Sequence, residues 1–144
     1  MSFVDCGTLK IRGDELGDRL CQIYDGISAV VREHAPVVGV AVEKVFVHRN
    51  PSSAIKLGQA RGAAIVASVS AGLTLAEYSP NEIKQAITGR GHADKQQIQH
   101  MVKVLLTLTK IPSADAADAL AVAICHAHMG ESRMRLARAA GAAK

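Results

Sequence analysis

No apolar run among the 144 residues approaches the length needed to cross a bilayer, and no secretory signal opens them. The sequence therefore predicts a cytoplasmic protein rather than a membrane or secreted one. Cysteine is scarce and poorly spaced for pairing. Cys6, Cys21 and Cys125 are odd in number and share no short spacing, so they read as buried thiols of a reducing compartment, not as disulfides or a zinc site. Internal repeats are absent, and no linker divides the chain, which predicts a single domain over residues 1–144. At 49% hydrophobic and 21% charged residues the chain reads as globular rather than disordered.

Charge is present but unevenly spread. The net +4 divides into −3 over residues 1–43 and +7 over residues 44–144. A basic lobe suits a polyanionic partner. Ordinary surface charge accounts for the same figures, and on charge alone is the better account.

Apolar periodicity gives the coarse order of elements. Phe3 to Ile11 alternates loosely and reads as a strand. Gly13 breaks it, and Asp14 is placed to cap a helix from Leu16 to His34, whose apolar residues recur at three- and four-residue steps. Val37 to Val42 is short and β-branched, as expected for a strand buried on both faces. Ser52 to Val69 is a thin helix rich in Ala and Gly. Leu73 to Tyr78 reads as a strand, and Ser79-Pro80 starts a helix that Gly89 ends. Lys95 to Leu108 is amphipathic. The tail from residue 131 to 144 is a basic helix, either a DNA-contacting arm or a frayed end.

Three places carry chemistry. Glu43 ends the apolar strand, where open α/β sheets bind ligands; a glutamate merely emerging into solvent is the plainer account. The loop Gly89-Arg90-Gly91-His92-Ala93-Asp94-Lys95 is basic and glycine-containing, able to cradle phosphate or simply to join two helices. Most informative is Ala114-Asp115-Ala116-Ala117-Asp118-Ala119-Leu120-Ala121. A helix puts its two carboxylates on one face, about 5–6 Å apart at Cβ, where they repel unless a cation sits between them. A hard divalent ion is the first candidate. A first-turn acid favoured by the helix dipole would explain Asp115 alone, and Asp118 less well.

Several segments together resemble the RuvC family of bacterial Holliday-junction resolvases. They are Val40-Ala41-Val42-Glu43-Lys44-Val45-Phe46, Ala54-Ile55-Lys56-Leu57-Gly58-Gln59-Ala60-Arg61-Gly62, Lys95 to Val102, and Ala114 to Ala121. The likeness runs in order over essentially the whole chain. It implies an α/β fold of RNase H-like type, a mixed sheet flanked by helices. It further implies a homodimer that cuts four-way DNA junctions in recombination and repair with two Mg²⁺ ions per site, alongside a RuvA–RuvB branch-migration helicase complex. On this resemblance Glu43, Asp115 and Asp118 are catalytic and metal-binding, matching three of the family's four acids. Phe46, one of two phenylalanines, would stack on bases near the junction centre. Lys84 and Lys95 match basic positions that contact DNA, and Arg90 joins them from the basic loop.

One departure bears on activity. The family's first strand carries an aspartate in a Gly-Ile-Asp-Pro-Gly type motif, and these 144 residues contain no such motif. The resemblance therefore implies that the family's first two strands are missing here, leaving a domain incomplete at its N-terminus and nearly inactive on junctions. A non-catalytic junction-binding module is the rival that this departure favours. A helix-rich interaction protein whose acids are only caps is a third.

Overall fold

The computed structural model describes residues 1–44 and 51–141, the side chains of 51 and 131–141 aside. The order is α1 (Leu16–Glu33), β1 (Gly39–Glu43), α2 (Pro51–Ser70), β2 (Thr74–Tyr78), α3 (Pro80–Thr88), α4 (Lys95–Leu105) and α5 (Ala114–Gly141). The fold class is mixed α/β, as expected. Among the described residues the sheet has two strands, β1 and β2, parallel and joined through α2. The residues fall into two compact units, Thr8–Glu77 and Met1–Gly7 with Tyr78 onward.

Within the first unit α1 packs on α2. Neither α1 nor β1 contains a fully buried residue. The expectation that Val37–Val42 is buried on both faces is corrected: Val38 is exposed and the strand proper is half-buried. A short two-stranded ribbon cannot enclose its own strands. Residues 3–11 are not a strand either. Just past this segment, Arg12 donates its backbone N–H to Gln22 Oε1 (3.0 Å) and accepts from Gln22 Nε2 at its carbonyl (2.9 Å). A loose alternation of apolar residues does not by itself supply a partner strand, and among the described residues none pairs with this segment. The N-cap of α1 is Glu15 rather than Asp14, and it makes no side-chain capping bond.

The second unit is held by α3, α4 and α5, which pack on one another in all three pairs. Both shorter helices start with reciprocal capping, which satisfies donors that a helix N-terminus leaves open. Ser79 accepts from the backbone N–H of Glu82 and donates its own to the Glu82 carboxylate (2.7 Å). Asp94 and Gln97 do the same for α4 (2.8 and 3.1 Å). Gly89 ends α3 at φ 70°, a left-handed conformation that glycine adopts without a Cβ clash. The core is built from Ile83, Ile87, Ile98, Val102 and one face of α5, where Ala117, Ala121, Ile124 and Cys125 are 0–1% exposed. Tyr78, closing β2, is buried and hydrogen-bonded from its hydroxyl to His126 Nδ1 on α5 (2.8 Å).

The cysteines divide. Cys125 is buried as expected, whereas Cys6 and Cys21 are exposed, correcting the sequence reading for those two. Burial pushes the Cys125 thiol above its ordinary value of 9.0, and the nearby Glu82 carboxylate adds in the same direction. A raised acid favours the protonated fold, so its contribution to stability is complete below 9.0 and is lost as pH rises through and beyond that value. Iodoacetamide at pH 8 is therefore expected to modify two thiols of the native chain and three after denaturation. Equal labelling rates at all three would contradict the burial of Cys125.

Candidate metal and nucleic-acid site

The Asp115/Asp118 pair stands in the first two turns of α5. Its helix is opened by Ser113, whose carbonyl accepts from Ala117 N (2.8 Å) and whose hydroxyl accepts from Ala116 N (3.4 Å). Capping is thus done by a serine, and the two acids are not needed for it. Ala116 and Ala117 between them are buried, and both aspartates are exposed. Among the described residues neither carboxylate has a hydrogen-bond or ion-pair partner. One turn further along, Val122 is 7% exposed, so the pair stands where the helix begins to enter the interior.

Glu43 belongs to the other unit. It is the last residue of β1, exposed, and its carbonyl accepts from Arg61 Nε on α2 (3.2 Å). Phe46 lies outside the described residues. Among the described residues no three His, Cys, Asp or Glu side chains are grouped so as to hold a metal. Carboxylate oxygens are the ligands that hard divalent cations prefer, so the donor chemistry of Asp115, Asp118 and Glu43 fits Mg²⁺ or Mn²⁺ and does not fit a soft metal.

The basic candidates share the second unit with the aspartates. Lys84 is half-buried on α3, and its carbonyl accepts from Thr88 Oγ1 (2.9 Å). Lys95 is exposed as the first residue of α4. Arg90 is exposed in the loop, its backbone tied to the Thr88 hydroxyl on both sides (2.8 and 3.3 Å). It lines an open cavity of about 550 Å³ with His92, Gln97 and His100. Those two histidines were not singled out by spacing. Their proximity comes from the bend of the loop, which no periodicity reports.

Comparison with known proteins identifies the family. The family model described as "Crossover junction endodeoxyribonuclease RuvC" matches residues 1–126. A Tolumonas auensis protein of that name is 52% identical over 137 residues, covering 95% of this chain and 79% of the relative. One from Marinobacter nauticus is 48% identical over 141 residues, covering 98% and 80%. Among solved structures, Thermus thermophilus RuvC aligns with TM-score 0.74 at 36% identity, covering 83% of this chain and 72% of that one. The same protein in complex with a Holliday junction substrate aligns with TM-score 0.80 at 35% identity, covering 88% and 77%. The chain belongs to the RuvC family of crossover junction endodeoxyribonucleases, and its fold is of the RNase H-like α/β type.

Proposed function

We propose that the chain is a metal-dependent endonuclease that resolves four-way DNA junctions, with Asp115, Asp118 and Glu43 as its metal-binding and catalytic acids. The observation that carries this is the exposed carboxylate pair on α5, free of any capping duty in a chain of this family. Asp115 and Asp118 would offer two carboxylates from a single helix face, and the family resemblance implies Glu43, at the end of β1, as the further acid ligand. Bound there, divalent cations supply the charge that activates a water and stabilises the leaving oxygen of a phosphodiester. Lys84, Lys95 and Arg90 neutralise backbone phosphates and hold the junction in register. Phe46 would stack on bases near the centre. Cytoplasmic residence and a RuvA–RuvB helicase partner follow from the resemblance.

Three acids where the family resemblance implies four predict slow cutting by these 144 residues. A synthetic four-way junction tests the whole reading. Expected are slow, symmetric nicks in Mg²⁺, none in EDTA, and a gel shift that survives EDTA. A shift without nicks in either Mg²⁺ or Mn²⁺ would make the chain a binding module instead, and efficient cutting would refute the expectation of slow turnover.

Symmetric nicks require two sites, and α2 offers a surface for a second copy. Ile55, Gly58, Gly62, Val66 and Val69 lie at three- and four-residue steps, and all are exposed. Open space surrounds the position a Cβ would take at both glycines, so another backbone can come close. Val66→Asp is expected to convert a sedimenting dimer into a monomer. Unchanged sedimentation would place the dimer contact elsewhere.

A further inference from the structure

We infer that Arg61 is a positioning residue for Glu43, holding the end of β1 so that its carboxylate is presented in one place. The inference rests on Glu43 being a metal ligand, as proposed above. Arg61 is central to α2, with its side chain 24% exposed. Its guanidinium uses two of its nitrogens. Nε donates to the Glu43 carbonyl oxygen at 3.2 Å, and Nη2 pairs with the Glu77 carboxylate on β2.

Glu43 is where β1 stops, since Lys44 already lies outside the strand. A strand end has lost the ladder on one side, so its last peptide is the one most free to tilt. A tilt there swings the Glu43 side chain, whose Cβ direction follows the backbone. Arg61 restrains that tilt by tying the last β1 carbonyl to a neighbouring helix and, through Glu77, to the neighbouring strand. Three elements meet at one planar group. Only arginine has a rigid fork that can serve a carbonyl and a carboxylate at once; lysine offers a single point charge.

Stability is a poor account of the same contacts. The Glu77 side chain is 43% exposed, and half-exposed ion pairs contribute little to folding. Outer partners that orient a metal ligand matter far more to the metal, and their removal costs about 10–100-fold in metal affinity or activity.

The test measures Mn²⁺ affinity of the full chain by electron paramagnetic resonance of the free ion, beside thermal unfolding and junction cleavage. Arg61→Ala is expected to weaken Mn²⁺ binding about tenfold and to lower the rate of cleavage with it. Junction binding in EDTA should be retained. Arg61→Lys should fall between the two, and Glu77→Gln, which keeps an acceptor for the guanidinium but removes its charge, should weaken Mn²⁺ less than Arg61→Ala. These milder variants keep the question open to decision even where Arg61→Ala fails to fold. Glu43→Gln separates the two levels of inference. Wild-type Mn²⁺ affinity in Glu43→Gln refutes the site itself. Loss of affinity in Glu43→Gln with wild-type affinity in the Arg61 variants refutes the role of Arg61 alone.

Discussion

Asp118→Asn is expected to weaken Mn²⁺ binding at least tenfold, to abolish measurable junction cleavage, and to leave the chain no less stable than before. The first expectation follows from the proposal that Asp118 is a direct ligand. Outer-shell changes already cost about 10–100-fold, and a direct ligand should cost no less. Cleavage falls further, because an error of about 1 Å in placing the reacting groups can cost on the order of a hundredfold in rate. The stability expectation is the more discriminating one. Asp118 is exposed, has no partner among the described residues, and faces Asp115 across a turn of helix. Like charges so placed cost about 0.2–0.5 kcal/mol without a cation between them. Asparagine removes that repulsion, so the melting temperature in EDTA should hold or rise slightly. A capping role predicts the opposite, a loss of about 1 kcal/mol. Urea unfolding with and without Mg²⁺ reads both, and a destabilised variant with normal Mn²⁺ affinity would leave the carboxylate only a structural part.

The second large effect lies in the same helix on its buried side. Ile124→Ala should cost about 2–5 kcal/mol of stability, since Ile124 is 1% exposed among α5 neighbours that are themselves covered. That is a large fraction of the roughly 5–15 kcal/mol that holds an ordinary domain together. The helix is gripped by both α3 and α4, so a cavity there cannot close by moving one partner alone. The denaturant midpoint should fall with little change in slope. A loss below 0.5 kcal/mol, the range of exposed substitutions, would mean that α5 is not the centre of its unit.

The elements that repeat locally were legible in the sequence, and the contacts between distant residues were not. The i, i+3 spacing of Asp115 and Asp118 needs nothing beyond helix geometry to place them on one face, and the same holds for Ser79-Pro80 and Gly89 as the limits of α3. Residues 3–11 were misread because alternation records an extended chain but not what it pairs with. For Cys6 and Cys21, composition suggests burial, yet neither the opening segment nor α1 encloses a side chain. Arg61 was invisible for a different reason. Its partners lie 16 and 18 residues away on two strands, and the helix around it shows only Ala and Gly at close spacing. The family resemblance supplied what no periodicity could, a DNA junction as substrate.

Ser113 gives the start of α5 an independence that bears on how this protein can fail. Because a serine satisfies the first turn, the acid positions can change without unravelling the helix that bears them. With Asp115 and Asp118 in the roles proposed for them, loss of cutting is uncoupled from loss of fold. A chain altered at Asp115 or Asp118 would persist at normal abundance, occupy junctions and shield them from working copies. In a cell holding both forms, such a variant should act as a dominant inhibitor of resolution rather than a silent null.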